Sequence, residues 1–353
     1  MFKELRLHPP ALTSHPDIAL PMSIMATIPY LDNWLCSEFL QLYSNGIYTK
    51  RYNYGSCEEY EPLECIRIPY RLDFGEDIID FFVQAIKNNY YVLVFCDDSR
   101  IQTMKIKYPR LHGILLFGFD QSKHFFYAYA YNGVKLERFK VSFDDMISAY
   151  NSDFSVQFHG RGSIFDELSN NHEIRGINME SHMIVLYKLK QSTYENYKIN
   201  LDKIKWHMLD YLESVDTLSR ERPHFGEEVI AWGLDVYEGI KPYYRYQSEQ
   251  HDAINFADPY CIYEHKKDWL RKLRYIHDHT ELKCSEDIFN CLTDLIRHAE
   301  IFINLIVKYN VNYLGDTKEI MDRIFHQMDV MREIEKRTLN EYYDLNRTVF
   351  ESF

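Results

Sequence analysis

Among the seven cysteines and fifteen histidines of this 353-residue chain, one pair has the setting a nucleophile and its base would need: Cys36, in "DNWLCSEF", and His112, in "PRLHGILLFGFD". A thiol at the start of a helix meets free backbone N–H groups and the positive end of the macrodipole, and both favour the thiolate. The pattern "NWLCSEFLQLYSNG" predicts such a helix, with Asp32 or Asn33 as N-cap, Gly46 just past the end and Cys36 in the first turn. His112 heads an apolar run, Leu111 to Phe117, that reads as a buried strand. An imidazole there is either a satisfied core residue or a general base for a nearby thiol. The ordinary fate of a cysteine on an amphipathic helix is to be a small buried hydrophobe.

A base needs a group to orient it, and four residues are candidates. Asn132 could hold the ring as an amide does in Cys-His-Asn sites, and Asp97, Asp98 or Asp120 could do so with a carboxylate. An oxyanion hole could draw one donor from the helix amides near Cys36 and a second from Asn33 or Tyr30. Trp34, His224 and Trp232 are candidates to line a substrate pocket. The last two sit in a proline–glycine helix entry, "RERPHFGEEVIAWG", whose bland reading is loop and core.

Other chemistries lack their spacing. No Cys-x-x-Cys or His-x-x-x-His occurs, and Glu-x-x-His occurs once, Glu221 to His224 across a proline, without the second copy of a di-iron bundle, so "HDH" at 277–279 with His298 and Glu300 does not read as a metal centre. A nucleophile elbow, a P-loop and a dinucleotide fingerprint are all missing, and no cofactor is expected. Lys and Arg number 40 against 53 Asp and Glu, a net charge of −13 that argues against nucleic acid as a partner. No apolar run approaches the roughly 18 residues of a membrane span, and the N-terminus lacks the order of a signal peptide. Seven scattered cysteines without paired spacing suggest reduced thiols and a cytoplasmic protein.

The positioning elements fall into two groups, and the fold class expected is α+β. Up to about residue 194 the chain mixes helices with antiparallel strands. "EDIIDFFVQAIKNN" is a helix and "YYVLVFCDD" a strand, followed by the His112 hairpin with a Gly-Phe-Asp turn and by "VKLERFKVS". Ser142 begins a short helix, "FDDMISAY", and "HMIVLYKLK" is a last strand. From 195 to 353 apolar residues recur at helical spacing. Ile288, Leu292, Leu295, Ala299 and Phe302 mark one stripe, and Ile320, Ile324, Met328 and Met331 another capped by Asp316. The expectation is a sheet domain over 1–194 and a helical bundle over 195–353.

A helix-borne Cys, a second helix, then a strand headed by His resembles papain-like folds of the C39 type. More closely it resembles the N-terminal domain of butirosin-biosynthesis protein H and its relatives. "DNWLC", "YYVLVFCDD", "HGILLFGFDQSKHFFYAYAY" and "VSFDDMISAY" carry the likeness, which covers roughly residues 20 to 190. That resemblance implies acyl transfer from a carrier-protein thioester to a small-molecule amine in the biosynthesis of nonribosomal-peptide or aminoglycoside metabolites. Cys36 would be the nucleophile, His112 the base, and an acyl or peptidyl carrier protein with its phosphopantetheine arm the partner. In C39-type enzymes the strand after the His turn ends in Asp-Pro, whereas "AYAYN" offers Ala128, Ala130 and Asn132. That departure makes a catalytically degenerate binding or scaffold protein an alternative, and a cysteine peptidase, amidase or thioesterase of the same fold is another. A homodimer is compatible with each.

Overall fold

A computed structural model describes residues 1–38, 40–44, 49–51, 60–68, 77–152, 184–190, 197–217 and 230–352. The chain is a mixed α+β protein that divides into two compact units, 1–29 with 55–195 and 30–54 with 196–353. Residues 30–54 thus join the helical unit, not the sheet unit that the sequence assigns them to. Among the described residues no helix is long and apolar enough to cross a membrane.

The sheet unit contains β1 (Phe2–Glu4), α1 (Pro16–Met25), β4 (Leu63–Ile68), α3 (Ile78–Lys87), β5 (Tyr91–Asp97), β6 (Leu111–Asp120), β7 (Phe125–Asn132), β8 (Lys135–Ser142), α4 (Phe143–Tyr150) and β9 (Ile184–Leu189). Its strands run β4-β9-β5-β6-β7-β8, every pairing antiparallel, and β1 also pairs with β6. Val92, Val94, Ile114, Leu116, Phe126 and Ala128 point to one face and pack with Phe82 and Ile86 of α3 and Met146 and Ala149 of α4. Alternation sends Tyr129 and Tyr131 to the other face. There α1 packs on β6, β7 and β9, and the Tyr131 hydroxyl donates to the carbonyl of Thr13 in the segment leading into α1. Covered on both faces, the middle of β6 is continuously apolar because neither side meets water.

The Gly-Phe-Asp "turn" remains strand. A bulge between Leu116 and Gly118 lengthens β6, and β1 lies so close that a Cβ on Gly118 would come within 2.8 Å of the Lys3 carbonyl oxygen. Only the missing side chain admits that pairing. The turn proper is 121–124, with His124 at φ 53°.

The helical unit contains α2 (Leu31–Glu38), β2 (Leu42–Ser44), β3 (Thr49–Arg51), α5 (Leu201–Glu213), β10 (Ala231–Trp232), α6 (Val236–Gly239), α7 (Lys241–Glu249), α8 (Ala257–His279), α9 (Glu286–Asn312), α10 (Lys318–Leu345) and α11 (Arg347–Phe350). The helix expected to run on toward Gly46 ends at Glu38, because Leu42–Ser44 pair with both β3 and β10. Asp316 is not the N-cap of α10; that position is Thr317, and Asp316 accepts from the Lys318 amide just inside.

A fully buried polar knot ties the bundle together. Lys266 Nζ on α8 reaches both Glu335 carboxylate oxygens on α10 at 2.6 and 2.7 Å and the Tyr211 hydroxyl of α5 at 3.0 Å. Tyr237 of α6 donates to Glu335 at 2.9 Å. An ion pair taken out of water is held only while every partner is present. Glu335→Leu is expected to cost about 3–5 kcal/mol by stranding the Lys266 ammonium. Lys266→Met combined with Glu335→Leu should recover much of that loss, as read by urea unfolding of the single and double variants.

Candidate functional site

Cys36 and His112 belong to different compact units. Cys36 is fully buried in the core of the helical unit, where its Sγ lies 4.0 Å from the Lys272 carbonyl oxygen. Because α2 begins at Leu31, the thiol stands in its second turn, beyond the free amides that were expected to activate it. Burial pushes the Cys36 thiol up to about 12, an effect that nearby Lys272 and Arg271 only partly oppose. The expectation of an easily ionised Cys36 is therefore overturned by desolvation.

The proposed oxyanion groups are engaged in the same unit. Asn33 donates through Nδ2 to the Tyr197 carbonyl at 2.7 Å and accepts through Oδ1 from the Tyr275 hydroxyl at 2.8 Å. It lies inside α2 and so is not the N-cap, and neither is Asp32, which pairs with Arg271. Tyr30 supplies the carbonyl that accepts from the Asn33 amide. Trp34 is buried core, and Trp232 packs its ring 5.2 Å from Tyr43. Neither tryptophan stands open as a pocket wall, and His224 lies outside the described residues. His277 and His279 of the "HDH" segment serve the end of α8: the first accepts from the Cys284 amide, and the second stacks on Tyr275.

His112 has chemically apt neighbours within the sheet unit. Its side chain is 17% exposed, and its Nδ1 lies 3.8 Å from Oδ2 of Asp98, whose side chain is 0% exposed. That distance suits charge stabilisation but exceeds a hydrogen bond. Arg110 grips the same Asp98 oxygen through Nε at 2.8 Å and Nη2 at 2.7 Å, and Nη2 also donates to the Tyr131 carbonyl at 3.2 Å. The Tyr131 ring meets the imidazole edge-on, with centroids 6.3 Å apart. Burial raises the Asp98 carboxyl above its usual range, while the hydrogen bond and charge of Arg110 pull it back.

Strand register builds this corner. The β5–β6 ladder sets Cys96 opposite His112, and the Asp98 amide donates to the Arg110 carbonyl just past the paired residues. Directly opposed residues share a face, so Cys96 is a cross-strand neighbour of His112. It too is buried, and its thiol is pushed far up by burial and then by the charges of Asp98 and Asp97.

Of the four orienting candidates, Asp98 is placed against His112. Asp120 stands eight residues along β6, about 26 Å at the rise of a strand. It caps the turn there through Ser122, whose hydroxyl bond holds its carboxyl below the usual range. Asn132 spends its amide on the Lys105 N–H at 2.7 Å and on Glu137 at 2.8 Å. Asp97 accepts from the Ser99 amide and hydroxyl. Arg110 and Tyr131 were not singled out from the sequence. The only local signal was an arginine two residues before the histidine, which becomes informative once the register of β5 is known.

Comparison with protein-family models and with curated proteins gives no match to this chain. Cys65 is disulfide-bonded, a departure from the expectation of reduced thiols throughout, while Cys36, Cys96, Cys261, Cys284 and Cys291 are free.

Two measurements follow from the buried thiols. A shift from an ordinary value of 9.0 to about 12 lowers the Cys36 thiolate fraction at pH 8 about 10³-fold. Iodoacetamide should therefore modify partly exposed Cys291 well before Cys36, as read by peptide mapping against time. Cys36 and Cys284, both pushed to about 12, keep protons that the unfolded chain releases near pH 9. Their contribution to stability is complete below about pH 9 and lost as pH rises toward 12. Thermal melts should fall over that window, less steeply in Cys36→Ala.

Proposed function

We propose that this protein transfers an acyl group directly from a carrier-bound thioester to an amine, with His112 as general base and Asp98 as the carboxylate that stabilises its charged form. The observation that carries the reading is the 3.8 Å approach of the partly exposed imidazole to a buried carboxylate. The resemblance to butirosin-biosynthesis protein H supplies the reaction class, a papain-like sheet domain and a phosphopantetheine-bearing carrier as partner. A cytoplasmic setting goes with it.

A thioester is already activated, so no covalent enzyme intermediate is required. His112 takes the proton of the attacking amine as nitrogen bonds to the thioester carbon. The carbon–sulfur bond breaks, and the imidazolium returns the proton to the departing thiolate. Distances of this kind are often long in a free enzyme and shorten around substrate. Cys36 is spared a role for which its burial makes it unsuited.

A second reading, a binding protein that holds carrier or metabolite without turning it over, is favoured by that same burial of Cys36. Incubation with a panel of small acyl thioesters and amines, followed by intact-protein and product mass spectrometry, separates the possibilities. Direct transfer predicts amide product without an enzyme adduct, a loss of about 10²-fold or more in His112→Ala, and little change in Cys36→Ser. An acyl adduct on Cys36 would restore the ping-pong cysteine mechanism. Neither adduct nor product, with thioester binding retained, would leave the binding protein.

A further inference from the structure

The Asp98 carboxylate poses a problem that His112 does not solve. It is fully buried, its Oδ1 has no hydrogen-bond partner among the described residues, and the imidazole stands 3.8 Å from Oδ2. A buried carboxyl left to itself takes up a proton or turns toward water. In either state it no longer stabilises an imidazolium.

We propose that Arg110 is a positioning residue that holds Asp98 ionised and aimed at His112, and so governs how readily the imidazole accepts a proton. The fork is built for it. Nε and Nη2 close on one Asp98 oxygen, and Nη2 is anchored to the Tyr131 carbonyl on β7, so the guanidinium joins β6, β7 and the end of β5. A planar guanidinium makes such a grip where an ammonium makes a single contact. The ring of Tyr131, whose hydroxyl reaches Thr13, closes the imidazole from the side. The inference rests on His112 being the base, but its test requires no turnover.

Other described groups lie around the corner. Cys96 faces His112 across the ladder with its thiol held protonated by burial. Asp97 is occupied by Ser99 and by Arg100 at 3.5 Å, and Asp145 of α4 accepts from the Gln102 amide. Among the described lysines and arginines, Arg110 is the one that contacts Asp98 directly.

The sign of one effect decides the matter. If Arg110 touched His112 only through its own positive charge, removing it would raise the midpoint of the imidazole titration. If it works through Asp98, removing it lowers that midpoint, because the stabilising carboxylate is lost. Nitrogen-15 NMR of the imidazoles against pH, in the full chain without substrate, reads the shift. Asp98→Asn is expected to lower the His112 midpoint by about one pH unit or more. Arg110→Gln should lower it in the same direction, and the double variant should fall no further than Asp98→Asn alone. Arg110→Lys should lie between the parent and Arg110→Gln, and it carries the test if the glutamine variant does not fold. A raised or unchanged midpoint in the folded Arg110 variants overturns the proposal. A lowered midpoint in a protein that transfers no acyl group would remove the catalytic reading and leave the Arg110 assignment standing.

Discussion

A carboxylate with no access to water stands where β5 ends, and the arrangement around it follows from that one constraint. Desolvation disfavours the charge by several kcal/mol unless a partner is fixed nearby. Arg110 is that partner, and it can reach Asp98 only because the β5–β6 ladder brings residue 110 opposite residue 98. Its second bond, to the Tyr131 carbonyl, draws the end of β7 into the same corner. His112 is thereby placed beside a negative charge while keeping some contact with solvent.

The same physics gives Cys36 the opposite character. The thiol is as thoroughly excluded from water as Asp98, and two nearby cations do not offset the loss of hydration. Protonation is a low-cost escape for a thiol, which becomes a small apolar group, and the core of the helical unit accepts it as one. Lys266 and Glu335 have no comparable escape that keeps both in place, and they are held by mutual contact and two tyrosine hydroxyls. Burial thus selects an ion pair in one part of the bundle and a neutral thiol in another. The difference lies in which neighbours the packing provides.

Much of the secondary structure is written locally. Period-two aromatics specify β7, the apolar stretch of "YYVLVFCDD" gives β5, and Ser142 caps α4 by accepting from the Asp145 amide. Long helical stripes mark α9 and α10. Elements that depend on distant partners were not legible. The three-residue β1 exists because Gly118 lets it approach β6, and α1, with Pro21 inside and its apolar residues spread around the helix, lacks the stripe that identifies a surface helix. The amphipathic pattern after Glu38 reads as more helix, yet pairing with β3 and β10 makes it strand.

For the site, the amino-acid sequence by itself determined the inventory: a histidine at the head of a buried strand, a short set of carboxylates and amides that could orient it, and cysteines without metal or redox spacing. It also determined the mixed α+β character, because alternation and helical periodicity are local properties of the chain. Which carboxylate meets the imidazole, and whether a given thiol can ionise, were decided only in the tertiary structure. Register brings Asp98 and Arg110 to His112, leaves Asp120 at the far end of the same strand and occupies Asn132 with its own hairpin. Burial then sets the charge of each group. Both depend on contacts between residues far apart in the chain, and no local pattern encodes them.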